Sequence, residues 1–372
     1  MATGIVWDER YMWYDFGSFA GAFSGSASYV QPGTPVENPE SKRRILGLLE
    51  ASGLLKQLTM ISPQPISTEE LALVHDPDYI RRVQETSAQQ GGYAGPGAPL
   101  PAGGYEIAAL AAGGTKAAID AVLSGQVDNA YALVRPPSHH AEKDMGMALC
   151  VFSNVAVAVK SAMREYGLKK VVIIDWDAHH GNGIESAFYS DPSVLTISIH
   201  QDQMIYGRGA TEVRGEGAGE GYNINIPLPP GSGTGAYLAA FERVIIPAVN
   251  QFKPELIVVA SGLDAGFSDP TARMLLHSES FRLMTRHTME LAAKHSNGRL
   301  VMSHEGGYDP TVTPFLGLAI FEELSGIRSS VKNDDNPFES PYSGFIVNEY
   351  QALNAQQDEF IRRAEQAVPL VK

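Results

Sequence analysis

Uninterrupted apolar runs, rich in β-branched residues, recur between about residues 105 and 320, separated by stretches whose apolar positions fall three to four apart. Positions 131–134, 171–174, 194–199, 256–260 and 300–302 read as strands, and 105–123, 154–166, 237–251 and 278–295 as helices. Continuous Val/Ile/Leu runs suit central strands buried on both faces, because a half-exposed strand alternates apolar and polar positions. Strand–helix alternation predicts an α/β fold, a parallel sheet with helices on both faces. Gly- and Pro-rich loops interrupt it at 90–104, 207–221 and 229–235, and a last loop at 329–344 precedes a helix near 348–366. No internal repeat stands out and no loop reads as a domain linker, so residues 1–372 are expected to form a single domain.

Each of these strands runs into polar residues. His139 and His140 follow the first, Asp175 to His180 the second, and Asp264 and Tyr308 follow two more. In open parallel α/β sheets ligands bind outside the carboxyl ends of the strands. Several strand ends carrying His, Asp and Tyr therefore point to one site.

Composition narrows what that site can be. Among 372 residues there are one cysteine and ten histidines, with a formal net charge of −14. One cysteine excludes a disulfide scaffold and a Cys-rich zinc module, so any metal must be held by His, Asp or Glu. The acidic balance argues against a nucleic-acid partner, which needs clustered Lys and Arg, and it tolerates a cationic substrate. No apolar run approaches the ~18 residues of a membrane span. The first 16 residues carry Asp8, Glu9 and Asp15 and lack a secretory pattern, so a soluble cytoplasmic protein is expected, with no membrane partner.

The strongest local signal is Asp175-Trp176-Asp177-Ala178-His179-His180-Gly181-Asn182-Gly183. Asp177 and His179, two apart at a strand end, can turn toward one divalent ion. Alone, such a pair reads more readily as caps in a strand-to-helix turn. Asp264 from another strand end favours the metal, and three protein ligands with an open position describe a catalytic site. Arg135-Pro136-Pro137-Ser138-His139-His140 puts adjacent histidines on a stiffened loop, suited to acid–base work beside a metal or simply bonded to local backbone. In Glu305-Gly306-Gly307-Tyr308 two glycines permit close backbone approach, and a neutral tyrosine O–H can donate to an oxyanion.

Taken in order, these motifs, with Ser261-Gly262-Leu263-Asp264-Ala265, resemble the zinc-dependent histone deacetylase superfamily of the arginase/deacetylase fold, on the side of the class II branch and its bacterial amidohydrolase relatives. The likeness spans about 37–326, leaving a C-terminal loop and helix at about 327–372. It implies a sheet of about eight strands. It implies Zn²⁺ on Asp177, His179 and Asp264; His139 and His140 around the activated water; Asp175 orienting His139 and Asn182 beside His140; and Tyr308 on the oxyanion. It also implies two K⁺ sites, one from Asp175, the backbone of Asp177 and His179, Ser198 and Ile199, the other from Phe188, Asp191, Val194 and Tyr222. An arginase-type two-metal centre is disfavoured, because His180 and Gly181 stand where a further carboxylate is needed.

The expected pocket walls depart from the pattern. Ala148-Leu149-Cys150 replaces Gly-Phe-Cys, Ile205 (or Tyr206 in a shifted register) stands at the second aromatic wall, Thr271 replaces Leu or Met, and Ser138 replaces a glycine; Gly306 and Gly307 complete the pocket. Losing flat aromatic walls removes stacking surface for an acetyl-lysine stem. The expectation is deacylation of a small or atypical acyl amide. The alternatives are a protein acetyl-lysine or acetylpolyamine deacetylase and, from another class, a silent binder of acylated ligands. Segments 11–29 and 90–104, rich in aromatics and glycine, read as an entrance rim or as contacts of a homo-oligomer.

Overall fold

Eight parallel strands form the central sheet: β1 (Thr3–Val6), β2 (Thr59–Ile61), β3 (Asn129–Ala132), β4 (Val171–Asp175), β5 (Val194–Gln201), β6 (Asn223–Leu228), β7 (Leu256–Ser261) and β8 (Leu300–His304). Their order across the sheet is β6-β5-β4-β7-β8-β3-β1-β2. The computed structural model describes residues 2–17, 19–20, 23–24, 31, 33–203, 208–332, 336–339 and 351–368.

The period of two along each strand divides its side chains between two cores. In β4, Val172 and Ile174 enter one core and Val171 and Ile173 the other; in β7, Ile257 and Val259 oppose Leu256, Val258 and Ala260. All of these are fully buried, each Val, Leu and Ile among them contributing roughly 1.5–3 kcal/mol by leaving water. Helices Glu40–Ala51, Ser278–His295, Thr313–Ser325 and Ala355–Glu365 cover the first core. Helices Pro77–Ala88, Gly104–Leu123 and Asn154–Tyr166 cover the second. Among the described residues no helix is long and apolar enough to cross a membrane.

Several boundaries differ from the sequence reading. The strand expected at 131–134 is Asn129–Ala132: Leu133 N still donates to the Val6 carbonyl (3.0 Å), but the chain then turns into Pro136 and Pro137, which have no N–H to offer a ladder. The helix expected at 237–251 begins at Thr234 and contains a π turn, Phe241–Ile245, before Ile246–Phe252. Pro247 lies just beyond that turn and cannot supply the i→i−4 bond, so the helix widens there. The last helix is Ala355–Glu365, started by an Asn354–Gln357 capping box, and not 348–366; residues 348–350 lie outside the described residues. β1, β2 and β6 escaped the strand reading. β6 reads Asn-Ile-Asn-Ile, yet Asn223 and Asn225 are buried and both donate to Glu185 Oε2 at 2.7 Å.

Candidate active site

The three central strands β4, β7 and β8 end together: Asp175 pairs with Ala260, and Ser261 with His304. The segments that leave these ends carry Asp177 and His179, Asp264, and Glu305–Tyr308. Backbone N–H groups aim the carboxylates. Asp177 accepts from His179 N (2.9 Å) and Gly306 N (2.9 Å), and Asp264 Oδ1 accepts from Ala178 N (2.8 Å). His179 Nδ1 stands 2.8 Å from Asp264 Oδ2 and 3.1 Å from Asp177 Oδ1.

Asp177, His179 and Asp264 thus offer ligand atoms all within 4.8 Å of one another, and both carboxylates are fully buried. Two buried carboxylates side by side are costly unless a cation joins them. Burial and the neighbouring Asp177 charge push the Asp264 carboxyl up to about 7. Burial also acts to raise Asp177, but His139 and His179 outweigh it and hold that group well below the carboxylate range. Glycines leave room for the cluster: a Cβ on Gly262 would lie 2.2 Å from Asp177 Oδ2, and one on Gly306 2.4 Å from Asp264 Oδ2. Two oxygens and one imidazole nitrogen suit zinc and leave a coordination position open.

The tandem histidines lie beside this cluster with different backing. His139 Nδ1 is 2.9 Å from Asp175 Oδ2, and its Nε2 is 3.7 Å from Asp177 Oδ2. Burial opposes its charge, but the carboxylates of Asp177 and Asp175 prevail and raise it to about 10. His140 Nδ1 instead faces the Asn182 amide oxygen at 2.8 Å; burial, His139 and His179 push it well below its ordinary value, so it is neutral. The two rings are 3.9 Å apart.

Buried Glu305 holds this loop, accepting from Ser138 N (2.6 Å), Ser138 Oγ (2.5 Å) and His139 N (3.1 Å). Ser138 therefore ties the histidine loop to the end of β8, which a glycine cannot do with a side chain. Burial raises the Glu305 carboxyl to about 7.

Tyr308 follows Gly307, whose φ of +122° favours glycine, and a Cβ there would meet Leu263 Cβ at 2.8 Å. Asp269 positions the tyrosine: its Oδ2 accepts from Tyr308 N (2.8 Å) while Oδ1 accepts from Thr271 N (2.8 Å) and Thr271 Oγ1 (2.6 Å). Burial, then the Asp264 and Asp177 charges, raises the Tyr308 phenol well above its ordinary value, so it keeps its proton. Lys42 Nζ sits 5.1 Å from the centre of its ring. Lys42 is fully buried and pairs with Glu37 (2.9 Å), which also pairs with buried Arg135 (2.8 Å).

Of the wall positions, Ala148 and Leu149 are half-buried and left-handed, at φ 43° and 73°. Such backbone costs about 1–3 kcal/mol per residue. Bonds from Ala148 N to Pro96 O (3.0 Å) and Leu149 N to Gly97 O (2.7 Å) hold it against the hairpin of Gly92–Gly95 and Ala98–Leu100, inside the expected rim segment. Thr271 is half-buried and Cys150 fully buried. Ile205 and Tyr206 lie outside the described residues, as does most of 18–29. Of the residues tied to potassium, Ser198 pairs with Asp175 across β4 and β5, its Oγ 2.9 Å from His200 Nδ1, and Ile199 is buried in β5. Phe188 O accepts from Asp191 N, Asp191 O from Val194 N, and Tyr222 O from Thr196 N.

Asp269, Glu305 and the Glu37–Arg135–Lys42 cluster were not singled out as site residues from sequence. The Asp-Pro pair at 269–270 and the Glu heading Glu-Gly-Gly-Tyr were visible; their partners, dozens of residues away, were not.

Residues 35–324 match the family described as "Histone deacetylase domain". The chain is 45% identical over 365 residues to a histone deacetylase-like amidohydrolase of Pseudomonas aeruginosa, covering 97% of this chain and 93% of that protein. It is 38% identical over 331 residues to the mouse polyamine deacetylase HDAC10, covering 83% of this chain and 46% of the mouse protein. The crystal structure of the HDA15 HD domain superposes with a TM-score of 0.84 at 27% identity, covering 98% of this chain and 94% of that one.

Proposed function

The chain belongs to the histone deacetylase family, and from that premise we propose that it is a zinc-dependent amidohydrolase acting on a small or atypical acyl amide. The observation that carries this reading is the trio of Asp177, His179 and Asp264 set beside two histidines with unlike backing. When held by that trio, zinc supplies Lewis-acid polarisation of an amide carbonyl and lowers the pKa of water. His140, neutral and donating Nδ1–H to Asn182, turns an Nε2 lone pair to the attacking water and takes its proton. His139, backed by the Asp175 carboxylate, holds a proton for the leaving amine. Tyr308, kept protonated, donates to the oxyanion of the tetrahedral intermediate. The buried Asp175, Ser198 and Ile199, and the turn of Phe188, Asp191 and Val194 with Tyr222, are assigned to structural potassium on the same reading.

Leu149 and Thr271 in place of an aromatic and a larger apolar residue support a substrate other than protein acetyl-lysine. Likeness to a polyamine deacetylase and the −14 charge support a second reading, acetylpolyamine deacetylation. Turnover of acetyl-lysine peptides, N-acetylpolyamines and small non-lysine acyl amides by the zinc-loaded enzyme, with Tyr308→Phe as control, separates them. The expected order places a small amide or an acetylpolyamine at least about tenfold above the peptides in kcat/KM, a difference of about 1.4 kcal/mol. Peptides cleaved fastest would overturn the substrate assignment; zinc binding with no amide cleaved would favour a silent binder.

A further inference from the structure

An asparagine amide presents an acceptor on one side and two donors on the other, and its partners decide which way it faces. Asn182 Nδ2 has three acceptors: Glu142 Oε1 at 2.8 Å, His140 O at 3.2 Å and Met147 Sδ at 3.5 Å. None of the three can donate, and the Glu142 carboxylate, the nearest of them, contributes most to making the reversed amide unfavourable.

Glu142 is itself held from several sides. Its N–H donates to Met145 O (2.9 Å), and its carbonyl lies 2.8 Å from Nδ1 of buried His75. His75 Nε2 accepts from Ser153 N (2.9 Å), so Nδ1 carries the hydrogen and donates. The Glu142 carboxylate pairs with the Arg208 guanidinium through a single Nη1–Oε1 contact. Arg208 directly follows 204–207, which contains the expected second pocket wall.

We propose that Glu142 is a positioning residue for amide hydrolysis: by accepting from Asn182 Nδ2 it fixes Asn182 Oδ1 toward His140, and so fixes His140 as the Nδ1–H tautomer with Nε2 free. Arg208 holds the carboxylate in place. A reversed amide would aim N–H at His140 Nδ1, favour the Nε2–H tautomer, and leave the wrong nitrogen protonated toward the reacting water. The proposal rests on the reading of His140 as proton acceptor, but the tautomer is measurable without turnover.

The test uses zinc-loaded full-length enzyme with ¹⁵N-labelled histidine. Long-range ¹H–¹⁵N spectra report which ring nitrogen of His140 carries the proton, and steady-state kinetics on the best amide report kcat and KM. Glu142→Ala is expected to retain zinc, to move the His140 pattern away from Nδ1–H, and to lower kcat roughly 10- to 100-fold, as loss of a hydrogen bond to a charged group does, with KM within about twofold. Glu142→Gln, whose amide oxygen still accepts from Asn182, is expected to restore the pattern and most of kcat. Arg208→Met, at an exposed side chain, is expected to shift both readouts the same way by less, and serves if Glu142→Ala does not fold. An unchanged His140 pattern in Glu142→Ala, or in Arg208→Met where it stands in, would overturn the proposal. The Nδ1–H pattern in a wild type that cleaves no amide would sink the hydrolase reading while leaving the positioning role intact.

Discussion

Asp269→Asn probes how Tyr308 is held. The carboxylate accepts three hydrogen bonds: one from Tyr308 N at 2.8 Å, and two from Thr271, at 2.8 Å from N and 2.6 Å from Oγ1. Asparagine keeps the shape but has one acceptor oxygen. Facing it toward the two Thr271 donors sets an NH₂ against Tyr308 N–H; facing it the other way orphans both Thr271 donors. The first loses less, so the buried Tyr308 N–H loses its partner, at a cost of about 1–3 kcal/mol. Gly307 at φ +122°, packed on Leu263, leaves the segment little room to find another acceptor. The phenol then drifts from the oxyanion position. The ceiling on the catalytic loss is complete removal of that donor, roughly 10²–10³ in kcat, the effect expected of Tyr308→Phe. Asp269→Asn is expected to lose about 10- to 100-fold. Because both changes act through one hydroxyl, the double variant should be no slower than Tyr308→Phe by more than about twofold. Kinetics of the four proteins on one amide, with urea unfolding to read the stability cost, check this. Losses that multiply in the double variant would refute the coupling.

Two further outcomes follow from burial and close approach. His75 is buried and its pKa lowered to about 4 by desolvation, against an ordinary 6.5, so the unfolded chain binds a proton that the native protein refuses. Stability should therefore fall as pH drops from 6.5 toward 4, by roughly 3 kcal/mol from this residue. Urea midpoints across that range should be flatter for His75→Gln, and parallel curves would contradict the assignment. In Gly306→Ala the new Cβ would stand 2.4 Å from Asp264 Oδ2 and 2.7 Å from Asp177 Oδ2. Zinc content after gel filtration should drop well below one per chain, and full occupancy at wild-type affinity would show that the ligands yield more readily than this crowding implies.

Much of the site is legible because parallel sheets collect ligands at strand ends. Polar residues straight after apolar runs, as at Asp175–His180 and Asp264, need only local pattern to be noticed. Glu37 and Arg135 are 98 positions apart and meet only through the fold, so neither reads as half of a buried ion pair. Ser138 looked like a departure at a glycine position until Glu305, 167 residues on, supplied its partner. β6 was missed for a related reason: its buried asparagines imitate a solvent-facing strand, and only the Glu185 carboxylate beneath them explains their burial. The walls stand apart, since Leu149 owes its left-handed backbone to bonds from a hairpin some fifty residues earlier.

His179 and Asp264 are 85 positions apart, and closing a free loop of that length costs about 4 kcal/mol. An unfolded chain therefore offers a cation only Asp177 and His179, a weak pair. Once β4 and β7 are zipped together the third donor arrives at no further entropic cost, and Ala178 N and Gly306 N keep both carboxylates aimed at the same point. A growing chain would thus acquire its ion late, after the segment to Gly306 has left the ribosome, as a guest of a sheet already assembled. A chelator should accordingly empty the site and leave the sheet standing.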